Sequence, residues 1–177
     1  HAYGLKSTCL RYFNAAGADP DMVLGEDHNP ETHLIPLIIQ LALGKKDSID
    51  AYGNNYPTPD GTCIRDYIHV VDLAQAHFLA MEQLLDGMNG QYNLGNGNGF
   101  SVLEIIKIIE QVTGKSIPFQ YAKKRIGDPA ILIGSNLKAT KILNYTPNYP
   151  EIQNIINTAW KWHKNNPHGY RMYNSVK

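Results

Sequence analysis

The chain has 177 residues, enough for one domain with a sizeable core and too few to assume two. Hydrophobic residues make up 43% and charged residues 18%, a balance typical of soluble globular proteins, and sixteen basic against sixteen acidic residues leave a formal charge of zero. With no global field and one tight basic run, Lys123 to Arg125, these figures argue against a nucleic-acid surface, and no apolar run approaches the roughly 18 residues of a membrane span.

Cys9 and Cys63 stand far apart, with no Cys-x-x-Cys or Cys/His ligand spacing, which argues against a zinc site or a disulfide framework. A reducing, cytoplasmic setting fits. The first residues lack the regions of a signal peptide, and the chain starts at His1 without an initiator Met, as a piece of something longer would.

Ser7 to Phe13 reads as a strand, followed by a small-residue loop, Asn14 to Ala18, where Asn14 is either a turn former or a ligand contact. Asp19 to Thr32 is polar and aperiodic, a loop. His33 to Leu43 is almost wholly apolar, a helix buried on most sides, with Pro36 tolerated in its first turn and Gly44 ending it. Ser48 to Tyr52 is a short strand.

From Tyr52 to Asp72 a Gly, Pro and Asp-rich loop feeds a strand whose alternation puts Ile64, Asp66, Ile68 and Val70 on one face and Arg65, Tyr67 and His69 on the other. One cation and two polar rings on one face suit an anionic, ring-containing ligand. Equally, Arg65 could pair with a neighbouring carboxylate and the rings fill a half-buried strand.

Val71 to Leu85 keeps helical spacing through Leu73, Ala74, His77, Phe78, Met81, Leu84 and Leu85, which reads His77 as a packed histidine. Gly90 to Leu94 is a strand. The GNGNG that follows resembles a dinucleotide loop, but Phe100 stands where a third glycine belongs, so it reads as a tight turn into the capping box of Ser101 and Glu104. The helix so capped stops at Gly114. Ile117 to Tyr121 is a strand, Lys123 to Asp128 a polar loop, Asn136 to Leu143 a short helix capped by Asn136, and Glu151 to His163 a one-faced surface helix, with a polar, fraying tail from Asn165.

Taken together, RYFNAAGA (11–18), HLIP (33–36), YGNNYPTPDGTCIRDYIHVVDLAQAH (52–77), YNLGNGNGFSV (92–102) and RIGDPA (125–130) resemble the galactose-pathway UDP-sugar 4-epimerases, members of the extended short-chain dehydrogenase/reductase family. The resemblance runs in order through nearly the whole chain. It implies an α/β fold: residues 1–177 as the single C-terminal substrate-binding portion, with residues 1–18 on the edge of a Rossmann-like NAD-binding sheet whose N-terminal βαβ units are absent.

The implied activity is isomerase chemistry, interconverting UDP-glucose and UDP-galactose through a transient 4-keto sugar with bound NAD, in a cytoplasmic, homodimeric full-length enzyme. By the same resemblance Asn14 contacts the diphosphate region and Tyr12 and Phe13 lie near the nicotinamide. His33 and Leu34 follow the loop over the nucleotide, Ala51 and Tyr52 flank the uracil, Arg65 grips the diphosphate, and Arg125 with Asp128 holds phosphate and ribose. The family's glycine fingerprint and Tyr-x-x-x-Lys pair are both missing, and Tyr3 with Lys6 has the wrong spacing, so no residue here is assigned a catalytic role and the chain is expected to be inactive alone. Where some members carry a bulky tyrosine this chain has Leu132, which would leave room for an N-acetyl group. Enzymes acting on UDP-GlcNAc, UDP-glucuronate or a UDP-pentose, or a non-catalytic nucleotide-sugar module, would share these motifs.

Overall fold

The computed structural model describes residues 3–170. Its larger core is built by three helices: α1 (Leu34–Ala42), α3 (Val102–Thr113) and α5 (Ile152–Asn165). Ile38, Ile39, Ile105, Ile109, Ile155 and Ile156 are fully buried where they meet, each gaining about 1.5–3 kcal/mol from leaving water. Pro36 falls in the first turn of α1, where its missing N–H costs nothing, and Gly44 turns the chain away at φ 72°. At the start of α3 the capping box is complete: Ser101 Oγ accepts from Glu104 N at 3.1 Å and Glu104 Oε2 accepts from Ser101 N at 2.7 Å.

A second core lies under α2 (Val70–Leu85) and α4 (Leu137–Leu143), centred on Ile68, Leu73, Ala76, Tyr92 and Leu94. Here the sequence reading needs correcting. The buried face of α2 is Asp72, Leu73, Ala76, Ala80 and Gln83, while Phe78, Met81 and Leu85 are exposed, and so is His77, whose Nδ1 meets Leu73 O at 2.8 Å. Polar residues sit inside because each has a partner. Asp72 accepts from Asn148 N (2.7 Å) and Tyr149 N (3.0 Å), and Gln83 accepts from the Tyr92 hydroxyl (2.6 Å).

The strands form three small sheets. β1 (Thr8–Tyr12) runs parallel to β5 (Gly90–Leu94), and β3 (Ile49–Tyr52) parallel to β7 (Phe119–Ala122). In the third, β4 (Ile64–His69) pairs in parallel with β2 (Asn14–Ala16) and β8 (Ile131–Leu132) and antiparallel with β6 (Gly99–Ser101). Asn14 to Ala16, expected in a loop, is thus a strand, and β6 and β8 were not anticipated. Both are two or three residues long and make sense only as partners for β4.

Four further expectations change. The alternation along β4 holds, but both faces are covered, and Val70 begins α2. His69 is turned inward: Nδ1 accepts from Val71 N (3.1 Å), capping α2, Nε2 meets Thr158 Oγ1 (2.9 Å), and its ring stacks on Tyr149. Burial accordingly pushes its pKa down. Asn136 makes no side-chain cap, since its backbone (φ −92°, ψ 5°) is not the extended form that aims a capping oxygen. Of the polar tail, residues up to Tyr170 are tied to the loop before α1, with Tyr170 N on Asp27 at 2.9 Å and Gly25 N on the Tyr170 hydroxyl at 2.8 Å; 171–177 lie outside the described residues. Among the described residues no helix is long and apolar enough to cross a membrane.

Candidate functional site

The glycine-rich turn after β5 shows what that motif does here. Asn96 N (2.9 Å), Gly97 N (3.1 Å) and, from the segment after β8, Gly134 N (3.0 Å) all donate to the carboxylate of Asp66. The anion cradled by this turn is a side chain of the protein itself. A Cβ on Gly95 would come within 2.5 Å of Asp66 Oδ2 and 2.7 Å of Gly134 O, so glycine is required by close approach. Burial pushes the Asp66 carboxyl up, against the pull of the three donors. By tying the turn and the β8 segment to β4, Asp66 fixes the strand on which its neighbour Arg65 is mounted.

Arg65 opens into a cleft of about 720 Å³ between β4, the loop before α1 and the 123–128 loop. Its Nη1 donates to Ile64 O (2.8 Å) and Pro129 O (2.9 Å), and its Nη2 to Asp128 Oδ1 (3.1 Å). Three of the five guanidinium hydrogens are thereby engaged, leaving about two, including Nε–H, for an anion. The ion pair is partly sheltered, with side-chain exposures of 14% and 30%. Across the cleft the Arg125 guanidinium lies 3.9 Å over the Tyr52 ring, and Lys124 lies 3.8 Å over Tyr56. Asp128 therefore pairs with Arg65, and Arg125 with Tyr52.

Asn14, His33, Leu34, Tyr52, Arg65, Arg125 and Asp128 all line this one cleft. Ala51 is buried between the lining residues Asp50 and Tyr52 and is not itself in the lining, and Leu132 sits opposite Arg65 in the β4–β8 register, 45% exposed and also outside it. Tyr67, read from the alternation as sharing the face of Arg65, lines the cleft too, whereas Cys63 and Gln120 were missed, the last held by its amide on Asp50 at 2.8 Å. Nothing local marks Gln120, because β7 reaches the cleft only by pairing with β3. Burial pushes the Cys63 thiol and the Tyr67 hydroxyl up, so neither is ionised at neutral pH.

A second cleft, of about 740 Å³, lies on the other side of β2 and shares Asn14, Ala15 and His33 with the first. Tyr12, Phe13, Val70, Val71 and Ala74 give it a largely apolar wall suited to a flat ring. Asn14 stands between the two clefts, its amide nitrogen donating to Asp66 O at 2.7 Å.

A β4-centred α/β lobe carries two clefts that meet at Asn14, one lined by Arg65 and Arg125 and the other largely apolar, and sequence comparison places it. Residues 1–95 match the NAD dependent epimerase/dehydratase family, and the chain belongs to that family. Within it, the chain is 56% identical over 177 residues to a UDP-glucose 4-epimerase of Halalkalibacterium halodurans, covering 99% of this chain and 53% of that protein. It is 52% identical over 170 residues to one from Lacticaseibacillus casei, covering 96% and 51%. A solved UDP-glucose 4-epimerase superposes with a TM-score of 0.90 at 53% identity over 94% of this chain and 51% of that one. The enzyme from Bifidobacterium longum, solved with NAD+ and UDP, superposes at 0.85 with 37% identity over 94% of this chain and 50% of that one. The chain thus spans about half the length of the relatives it matches.

Proposed function

We propose that the protein carrying this chain is a UDP-glucose 4-epimerase, and that this chain is its UDP-sugar-binding half, with residues 1–18 on the edge of the NAD-binding sheet. The observation that carries the reading is Arg65, held by two carbonyls and Asp128 so that part of its fork stays free in a cleft also lined by Arg125 and Tyr52. A diphosphate needs such fixed donors, and a base needs an aromatic face. Arg65 anchors the diphosphate, with Asn14 and His33 beside it. Leu34, Ala51 and Tyr52 shape the uracil end, where a base displaces Arg125 from the Tyr52 face; Arg125 and Asp128 then take phosphate and ribose. Anchoring through UDP leaves the sugar free to turn, which a reaction reversing one stereocentre requires.

The apolar wall of Tyr12 and Phe13 fits the nicotinamide end of NAD, which when bound supplies a reversible hydride acceptor for sugar C4. Proton transfer at the 4-hydroxyl is left to groups outside this chain. Leu132 in place of a tyrosine extends the proposal to UDP-N-acetylhexosamines. A homodimeric, cytoplasmic full-length enzyme belongs to the same reading.

Converting UDP-galactose to UDP-glucose with the full-length protein tests it; no turnover by protein that has NAD bound would refute it. The isolated 177-residue chain is expected to give none even with added NAD.

A further inference from the structure

Two Glu-x-His pairs, Glu26-Asp27-His28 and Glu31-Thr32-His33, stand in the loop before α1, and the fold brings all four outer side chains together. One ligand atom from each, two imidazole nitrogens and two carboxylate oxygens, lies within 4.8 Å of every other. His33 Nδ1 is 2.7 Å from Glu26 Oε1 and 3.1 Å from Glu31 Oε1, and His28 Nδ1 is 3.0 Å from Glu26 Oε1 and 3.8 Å from Glu31 Oε2. The two rings lie 4.9 Å apart, tilted by 52°.

From these contacts we infer that Glu26, His28, Glu31 and His33 form a binding site for a divalent transition metal of the Zn2+ type. Bond lengths of about 2.0–2.2 Å to nitrogen and oxygen give a tetrahedral ligand edge of about 3.4 Å, and the observed separations fall on both sides of it. Two imidazoles with two carboxylates form a mixed N/O set that suits such an ion.

Charge points the same way. The Glu31 and Glu26 side chains are only 6% and 16% exposed and adjacent, and among the described residues their ion-pair partners are these two histidines, with no lysine or arginine. Two sheltered carboxylates without a permanent cation are costly, and a bound dication relieves that cost. The histidine side chains, 56% exposed, leave the cluster open to an arriving ion. An ion here would clip one end of the loop to the other. Glu31 and His33 line the Arg65 cleft and Glu26 and His28 the apolar one, so the clip would fix the wall between them. The cysteine-based expectation of no zinc site did not consider this set.

The test is calorimetric titration of Zn2+ into untagged, full-length protein after dialysis against a chelator, with wild type, His28→Ala and the near-isosteric Glu26→Gln in parallel. One equivalent of Zn2+ per chain is expected in the wild type, bound at least tenfold more weakly in both variants. Zn2+ should raise the melting temperature of the wild type alone. Co2+ in the same site should give the visible absorption of a tetrahedral ion, absent from His28→Ala. Failure of the wild type to take up one equivalent, or equal uptake by correctly folded Glu26→Gln, would overturn the inference and leave the cluster a hydrogen-bonded network.

Discussion

Replacing Asp66 with alanine removes one acceptor from three donors at once: the backbone N–H groups of Asn96, Gly97 and Gly134. Asp66 itself is fully buried, as is its bond from Gly134 N, while the bonds from Asn96 N and Gly97 N are part-buried. A buried donor left unpaired costs about 1–3 kcal/mol and a part-buried one less, while losing a desolvated carboxylate returns part of the total, so a net loss of about 3 kcal/mol is expected for the GNGNG turn and the β8 segment. Asp66→Asn keeps one oxygen for two of the donors but turns an NH2 towards the third, for a loss of about 1–3 kcal/mol. Amide hydrogen exchange of the full-length protein reads this directly. The three amides should exchange about a hundredfold faster in Asp66→Ala and less so in Asp66→Asn. Unchanged protection in Asp66→Ala would refute the claim that this carboxylate holds the turn.

Arg65→Lys keeps the charge but loses the fork, and with it about 1.5–3 kcal/mol of charge-assisted bonding, so titration calorimetry should show UDP bound roughly 10- to 100-fold more weakly, and Arg65→Ala weaker still. Unaltered UDP affinity in Arg65→Ala would count against the proposed anchor. Burial pushes His163 down to about 4, from an ordinary value of 6.5. Because the unfolded chain takes up this proton first, stability is full above about pH 6.5 and falls as pH drops towards 4, by at most about 3 kcal/mol before solvent screening. Denaturation curves of His163→Gln should show a shallower slope across that window, and an identical slope would refute it. Turnover of UDP-GlcNAc by the full-length protein, lost in Leu132→Tyr while UDP-galactose is still used, is the expected specificity result; no UDP-GlcNAc turnover in the wild type would end that reading.

The sequence by itself determined the elements whose signal is local. The capping box at Ser101 and Glu104 and the buried α1 with Pro36 in its first turn are written in residues a few positions apart, and hydrogen bonds and burial bear them out. Family motifs named Asn14, His33, Leu34, Tyr52, Arg65, Arg125 and Asp128, and the fold brings them to one cleft although they lie up to 114 positions apart.

Only tertiary structure decided which faces turn inward and what each polar group touches. The apolar spacing on α2 favoured Phe78, Met81 and His77 for the core, yet close packing against β5 and α4 admits the small side chains of Ala76 and Ala80 and polar residues with partners. GNGNG resembles a phosphate loop until Asp66 is seen to take up its amides, and Glu26, His28, Glu31 and His33 read as a polar loop until folding brings them together. Helical periodicity and capping are short-range, whereas the partner of a buried charge is chosen by chain crossings between distant residues, which no local pattern records.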